Sequence, residues 1–177
     1  MFKRFIPYAH ACSVYEIPFD FYKQQGVKAL IIDLDNTLDS YKSLQPSPQA
    51  IALVNGLKEI GVKPIIVSNN KEKRVKAYAD QIPVAYINSA RKPFAKKLKA
   101  FIAKNGLLLE EVMLVGDQLM TDVLAAKGAH IRVILTEKIV KEDQWTTHIN
   151  RLFDRPIRHH LKKKGKLLDW REIYGQM

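Results

Sequence analysis

A short apolar run that ends in two carboxylates constrains the fold of this chain more than any other feature. Residues 29–32 are Ala-Leu-Ile-Ile, and they are followed by Asp33 and, two residues later, by Asp35. An apolar run of this length is typical of a strand buried on both faces of a parallel sheet. Such sheets bind ligands beyond the carboxyl ends of their strands, where the two acids lie. Because neighbouring like charges are costly without a compensating cation, the pattern indicates metal chemistry.

Strand and helix patterns alternate along most of the chain. Apolar runs predict five strands, at residues 27–34, 62–68, 84–87, 112–115 and 131–135, with helical spacing between them. This alternation is typical of right-handed crossovers and a mostly parallel sheet. We therefore predict an α/β, doubly wound (Rossmann-like) five-stranded sheet with helices on both faces. We expect residues 27–136 to form this core, residues 1–26 to pack on it as an aromatic and basic segment, and residues 137–177 to extend the same domain as a basic helical tail.

The composition indicates the kind of partner. Lys and Arg outnumber Asp and Glu by 29 to 18, and the net charge of +11 favours anionic partners such as nucleic acid, acidic lipid or a phosphorylated substrate. Seven of these cations lie in the Arg151–Lys166 stretch, which is either a surface for an anionic membrane or a solvated basic face. Because the chain has a single cysteine, Cys12, no membrane-spanning run and no signal-peptide pattern, we expect it in the cytoplasm. If the basic stretch binds an anionic membrane, the protein would be peripheral on its inner face.

Polar side chains follow the predicted strands at regular intervals. Asp33 and Asp35 are followed by Ser68, Lys92 and Asp117, with intervals of 35, 24 and 25 residues counted from Asp33. Each interval accommodates about one crossover unit. Since the carboxyl ends of parallel strands lie on one edge of a sheet, we expect these groups to converge there.

This set of groups is suited to phosphoryl transfer. Mg²⁺ held by Asp33, Asp117 and a backbone carbonyl would offset the repulsion between a carboxylate nucleophile and a phosphorylated substrate. Asp33 would attack phosphorus to give an aspartyl-phosphate, while Asp35 would protonate the leaving oxygen and later deprotonate water. Ser68 would donate a hydrogen bond to a phosphoryl oxygen, and Lys92 would stabilise developing negative charge.

The same residues resemble the four motifs of the haloacid dehalogenase (HAD) superfamily. Residues 33–38, Asp-Leu-Asp-Asn-Thr-Leu, are similar to motif I, and Ser68 is similar to motif II. Lys92-Pro93 resembles motif III, and residues 116–122, Gly-Asp-Gln-Leu-Met-Thr-Asp, resemble motif IV. No chemical position departs from the pattern. The aspartate at the third position of motif I favours a phosphatase or phosphotransferase over a dehalogenase, because it supplies the acid/base.

The resemblance also assigns roles to further residues. It implies that Mg²⁺ is held by Asp33, by the carbonyl of Asp35 and by Asp117. Asp122 has a supporting role in this family, although it can also be read as a charge at a helix N-terminus. Thr37 and Asn69 are expected to support the site, and Tyr41 and Asn70 are expected to lie near the substrate, with Tyr41 at the start of a flap formed by residues 41–48.

The spacing of the motifs leaves no room for a cap domain. The core itself consumes the residues between motifs I and II and between motifs II and III, so we expect a site that is open to a bulky substrate or closed by another subunit. The arrangement resembles the uncapped subfamily III phosphatases of the YqeG type. It is also similar to mitochondrial phosphatidylglycerophosphate phosphatases, which implies a lipid-phosphate substrate and a role in phospholipid metabolism.

Other functions remain open at the level of sequence. A nucleic-acid end phosphatase would use the same basic surface on a phosphate backbone. A non-catalytic module that binds RNA, a ribosome or a protein would keep the fold, but it has no need of Asp33, Asp35, Lys92 and Asp117 together. A phospho-accepting signalling domain would use a strand-end aspartate, but it leaves Asp35 without a role.

Overall fold

The computed structural model describes residues 2–140 and 145–175, without side-chain detail for residues 145–152. Within these residues the strands are β1 (Ala9–Ala11), β2 (Ala29–Asp33), β3 (Lys63–Val67), β4 (Ala85–Ile87), β5 (Val112–Gly116) and β6 (Arg132–Thr136). The α-helices are α1 (Phe19–Gln24), α2 (Pro48–Glu59), α3 (Glu72–Ala79), α4 (Lys96–Lys104), α5 (Leu124–Ala129), α6 (Trp145–Lys163) and α7 (Trp170–Tyr174).

The strands form one parallel sheet in the order β1-β6-β5-β2-β3-β4. The chain runs from β2 outward to β3 and β4, and then crosses back to β5 on the other side of β2. The direction of winding therefore reverses between β2 and β5. A crevice at such a reversal is where doubly wound sheets bind their ligands.

The sheet has six strands, so the expected number of five is wrong. The additional strand is β1, which pairs with β6 at the edge of the sheet through Ala9 and Ile134. The sequence of β1 is only Ala-His-Ala, and a strand pattern needs four to eight residues to be distinguishable. Pairing with β6 therefore decides its conformation. The predicted boundaries at residues 26 and 136 stay predictions.

Both faces of the sheet are buried, as the continuous apolar run in β2 predicts. Leu30 and Ile32 pack into the core that α1, α2, α3 and α7 cover. Ala29 and Ile31 face the opposite core, which α4, α5 and α6 cover. The predicted α/β fold with helices on both faces is thereby confirmed. Because the faces are filled with apolar side chains, polar chemistry is left to the strand ends.

The connections at the carboxyl edge are short. The flap, residues 41–48, and α2 connect β2 to β3, while α3 connects β3 to β4. These short connections are consistent with the expected lack of a cap. In the part of the chain that the structure describes, no helix combines the length and the apolar character needed to cross a bilayer.

Candidate active site

The carboxyl edge of the sheet collects the predicted polar groups. Asp33 is the last residue of β2, Ser68 directly follows β3 and Asp117 directly follows β5, while Lys92 lies on the loop after β4. All four side chains are buried. Asp33 and Asp117 belong to the two neighbouring strands between which the winding of the sheet reverses. The structure thus brings together the residues that the sequence spacing predicts at one edge.

The Lys92 ammonium joins two of the buried carboxylates. Its Nζ lies 2.6 Å from Oδ1 of Asp33 and 2.6 Å from Oδ1 of Asp122. Burial by itself lowers the pKa of Lys92, but the charges of Asp122 and Asp33 and their hydrogen bonds outweigh burial and raise the pKa above its ordinary value. Lys92 therefore remains protonated and holds the two carboxylates in place.

Asp33 experiences an excess of negative charge. Burial raises the pKa of Asp33 well above its usual range, and the charge of Lys92 opposes this effect. The nearby charges of Asp122, Asp117 and Asp35 raise the pKa further. A bound cation would reverse this balance and favour the ionised form that a nucleophile requires.

The donor set fits a divalent cation. Asp33, Asp117 and Asp122 each offer a carboxylate oxygen, and these oxygens lie within 4.8 Å of one another. Together with the Lys92 ammonium, the three buried carboxylates carry two formal negative charges in excess. Hard oxygen ligands of this kind are preferred by Mg²⁺. Asp122, which the sequence placed in a supporting role, is a member of this group.

Gly116 and a π-helical turn place Asp122. The turn spans Leu119–Val123, and the backbone N–H of Gln118 donates to Oδ2 of Asp122 at 3.0 Å. A Cβ on Gly116 would stand 2.3 Å from Cγ of Asp122, far closer than real contacts allow. The glycine before Asp117 is therefore required because the Asp122 carboxylate occupies the space of a side chain.

Three donors on the β3 side of the site hold Asp35. Its Oδ2 accepts hydrogen bonds from Oγ of Ser68 at 3.0 Å and from Nδ2 of Asn70 at 2.8 Å. Its Oδ1 accepts from Nη2 of Arg74 at 2.9 Å. The Ser68 hydroxyl, predicted to donate to a phosphoryl oxygen, thus donates to Asp35 here. The Asp35 side chain is 18% exposed against 6% for Asp33, which suits a group that exchanges protons with water.

Arg74 connects Asp35 to the flap. Its Nη2 also donates to the carbonyl of Tyr41 at 2.8 Å, and its Nη1 donates to the carbonyl of Ser43 at 3.0 Å. Sequence reasoning missed Arg74, although a cation in the first turn of the helix after Ser68 lies close to the same edge. One guanidinium therefore positions both the flap backbone and the predicted acid/base.

Another buried carboxylate, Asp39, lies outside this cluster and anchors the base of the flap. Asp39 accepts hydrogen bonds from the hydroxyl of Tyr78 and from the backbone N–H of Ser47, the latter at 2.9 Å. Tyr15 donates to the carbonyl of Leu38, and burial together with the charge of Asp39 raises the pKa of Tyr15 to about 12. The sequence analysis did not single out Asp39.

Asn69 secures the backbone of Lys92. Its Oδ1 accepts from the N–H of Lys92 at 2.8 Å, and its Nδ2 donates to the carbonyl of Lys92 at 3.1 Å. The Lys92–Pro93 peptide bond is cis. The Thr37 hydroxyl lies 3.4 Å from Oδ1 of Asp117, and Tyr41 lies half-buried on the flap. The supporting roles predicted for Asn69 and Thr37, and the places near the substrate predicted for Tyr41 and Asn70, stay predictions.

The C-terminal helix α6 supports the loop that carries Asp117. Nη2 of Arg158 donates to the carbonyl of Asp117 at 2.7 Å, and Nη1 of Arg158 donates to Glu137 at 2.9 Å. Asp154 accepts from the backbone N–H of Leu119 at 2.8 Å. The sequence predicts this basic stretch only as a surface, because a run of cations does not show which one faces the core.

Known proteins share this sequence and fold. The sequence model of the family described as "Mitochondrial PGP phosphatase" matches residues 2–140. "Probable phosphatase YqeG" of Bacillus subtilis (strain 168) is 35% identical over 170 residues, which cover 96% of this chain and 98% of that protein. A solved haloacid dehalogenase-like hydrolase from Bacteroides fragilis aligns with a TM-score of 0.54 at 15% identity, over 68% of this chain and 93% of that one. A hypothetical protein from Xanthomonas campestris aligns with a TM-score of 0.54 at 18% identity, over 78% and 81% of the two chains.

The buried carboxylates and lysine at the sheet edge, together with these relatives, define a HAD-type phosphatase. The predicted resemblance to this superfamily is confirmed. The chain belongs to the mitochondrial PGP phosphatase family, because the family match spans most of its length and the Bacillus relative covers nearly all of it.

Gly116→Ala tests the close approach of Asp122. The added Cβ would displace the Asp122 carboxylate, so we expect a loss of about 1–3 kcal/mol in the free energy of unfolding and at least a roughly 10-fold loss of phosphatase activity. Urea unfolding and phosphate release measure the two effects. Gly175→Ala is the matched control, since its added Cβ would lie at an ordinary 3.4 Å from the nearest atom, the carbonyl oxygen of Arg171. If Gly116→Ala had the same unfolding free energy and the same activity as the control, Gly116 would not be needed to make space for Asp122.

Arg74→Met tests the link between the flap and Asp35. The substitution removes the cation that Asp35 and two flap carbonyls share, so we expect kcat to fall roughly 10-fold, part of the 10²–10⁴ that general acid–base catalysis contributes. Steady-state kinetics with an aryl phosphate provide the measurement. Lys73→Met removes the same charge from an exposed neighbour on α3 and should leave kcat unchanged. Equal kcat values in the two variants would exclude a positioning role for Arg74.

Proposed function

We propose that the protein is a Mg²⁺-dependent phosphomonoester hydrolase that acts through an aspartyl-phosphate on Asp33. The buried cluster of Asp33, Asp117, Asp122 and Lys92 carries this proposal, because it combines a nucleophile with a divalent-cation donor set. Mg²⁺, held by Asp33, Asp117 and either Asp122 or the carbonyl of Asp35, would neutralise the charge of the substrate phosphate and of the attacking carboxylate.

The first half of the reaction would transfer the phosphoryl group to Asp33. A carboxylate oxygen of Asp33 forms a bond to phosphorus while the bond from phosphorus to the alcohol oxygen breaks. Lys92, which contacts Oδ1 of Asp33, fixes the orientation of this carboxylate and offsets negative charge that develops on the phosphoryl group. Asp35 donates a proton to the leaving oxygen, so the alcohol departs neutral.

The second half would return Asp33 to its initial state. Asp35, now a carboxylate, takes a proton from water as the water oxygen attacks phosphorus, and the bond from phosphorus to Asp33 breaks. Inorganic phosphate leaves. Ser68, Asn70 and Arg74 surround Asp35 and keep it directed toward the reacting oxygen through both halves.

The substrate we propose is a bulky phosphomonoester such as phosphatidylglycerophosphate. The family description and the short connections around the site support this choice. Two exposed apolar side chains lie on loops that border the site. Leu44 on the flap is 75% exposed, and Phe94, two residues after Lys92, is 71% exposed. Apolar side chains at such a mouth suit contact with acyl chains, and the cations of Arg151–Lys166 would favour an anionic membrane surface.

Asp33→Asn tests the mechanism. The amide is a far weaker nucleophile, so we expect phosphate release from an aryl phosphate to fall at least about 10³-fold with the fold retained. Wild-type protein should release phosphate with Mg²⁺ and stop with excess chelator. Mass spectrometry after acid quench should find one phosphoryl group on the peptide that contains Asp33. Asp20→Asn, at an exposed carboxylate on α1, is the control, and normal turnover by the Asp33 variant would refute the mechanism.

A substrate panel tests the proposed class of substrate. Phosphatidylglycerophosphate in mixed micelles should be hydrolysed with a kcat/KM at least roughly 10-fold above that of a small sugar phosphate, since the open site has contacts for a larger molecule. A 5′-phosphorylated oligonucleotide of similar charge completes the panel. If kcat/KM for the oligonucleotide exceeded that for phosphatidylglycerophosphate, the preferred substrate would be a nucleic-acid end and not a lipid.

A further inference from the structure

A concave pocket of about 440 Å³ lies beside the active site. It is formed by β1, by the turn after β6 and by one face of α6, and its polar lining includes His10, Glu137, Arg155, Arg158, His159 and Lys162. The pocket lies near the edge of the sheet that carries the catalytic groups, because Glu137 directly follows β6 and His10 belongs to the neighbouring strand β1.

The acidic groups of the pocket are already neutralised within the protein. Glu137 lies 3.0 Å from His10 and 2.9 Å from Arg158, and the hydrogen bond from His10 and the charge of Arg158 lower the pKa of Glu137 to about 2. Asp169, at the rim, lies 3.1 Å from Arg171 and caps α7. Neither carboxylate therefore has to be balanced by Arg155 or Lys162.

The cations on α6 are available to a ligand. Arg155, His159 and Lys162 follow one another at intervals of four and three residues, which places them on one face of the helix. Within the described residues, no hydrogen bond or ion pair engages their side chains, and all three are exposed. An anion in the pocket would be attracted by the charges of Arg155 and Lys162.

One side chain connects the pocket to the catalytic centre. The guanidinium of Arg158 donates to Glu137 in the pocket and, through its other terminal nitrogen, to the carbonyl of Asp117. A single planar group thus separates the pocket from the loop of the candidate metal ligand Asp117. The pocket therefore adjoins the loop that carries Asp117, as a substrate with a second anionic group would require.

We propose that the pocket binds a second anionic group of the substrate, a phosphodiester, through Arg155, Lys162 and His159. This inference rests on the proposed function and deepens it. The preferred substrate then carries a reactive phosphomonoester and a phosphodiester in the same molecule. Selectivity arises because only such a substrate contacts both sites, and an isolated monoester leaves the α6 cations unused.

Direct binding tests the pocket independently of turnover. Glycerophosphoglycerol, a phosphodiester that carries no phosphomonoester, should shift the NMR signals of the His10 and His159 imidazoles in the wild-type protein. The shifts should be lost in the double variant Arg155→Gln/Lys162→Gln. The control is Lys99→Gln/Lys104→Gln, which removes the same charge from exposed lysines of α4 that do not line the pocket and should behave like the wild type.

Kinetics provide the second test. For a water-soluble substrate with both a phosphomonoester and a phosphodiester, Arg155→Gln/Lys162→Gln should raise KM roughly 10-fold with little change in kcat, as expected for two exposed charge-assisted contacts. KM for an aryl phosphate, which has no second anionic group, should not change. The Lys99/Lys104 control should leave KM for both substrates unchanged.

The outcomes separate the pocket from the proposed reaction. An equal rise in KM for both substrates, an equal effect of the control variant, or no binding of glycerophosphoglycerol would overturn the pocket assignment even if the protein hydrolyses phosphomonoesters. Pocket-dependent binding without hydrolysis of any substrate would instead uphold the binding site and refute the proposed function.

Discussion

The ammonium of Lys92 between Asp33 and Asp122 is the contact on which the rest of the site depends. Bringing three carboxylates into a buried sheet edge costs several kcal/mol for each ion unless opposite charge accompanies it. Lys92 supplies one positive charge at 2.6 Å from each of two carboxylates, and the charge that remains suits a divalent cation. Other local features follow from this requirement, since Asn69 clamps the backbone of Lys92 and Gly116 makes space for Asp122.

Two arginines outside the motifs connect this cluster to the surroundings. Arg74 joins the predicted acid/base, Asp35, to the flap, and Arg158 joins the Asp117 loop to α6. The site is thereby bordered by a short flap on one side and by a basic helix on the other. The flap carries exposed apolar surface, and the helix carries cations without partners in the described residues, which together suit a substrate with an apolar part and more than one anionic group.

Much of the fold follows from local patterns. The apolar run of β2 predicts burial on both faces, and the regular spacing of polar residues predicts their convergence at one edge. The edge strand β1 was not predictable, because three residues without periodicity carry no strand signal. Arg74 and Arg158 were not predictable as site residues either, since each is one cation among many and only its neighbours distinguish it from a solvated one.

The sequence by itself determined the order of the elements from β2 to β6, the parallel sheet and the edge at which Asp33, Lys92 and Asp117 meet, because period and spacing are properties of the chain alone. The tertiary structure decided which charges pair. Lys92 and Asp33 are 59 positions apart, and Arg158 and Asp117 are 41 positions apart. Such pairs form only when packed layers bring distant segments together and burial makes an unpaired charge too costly to keep.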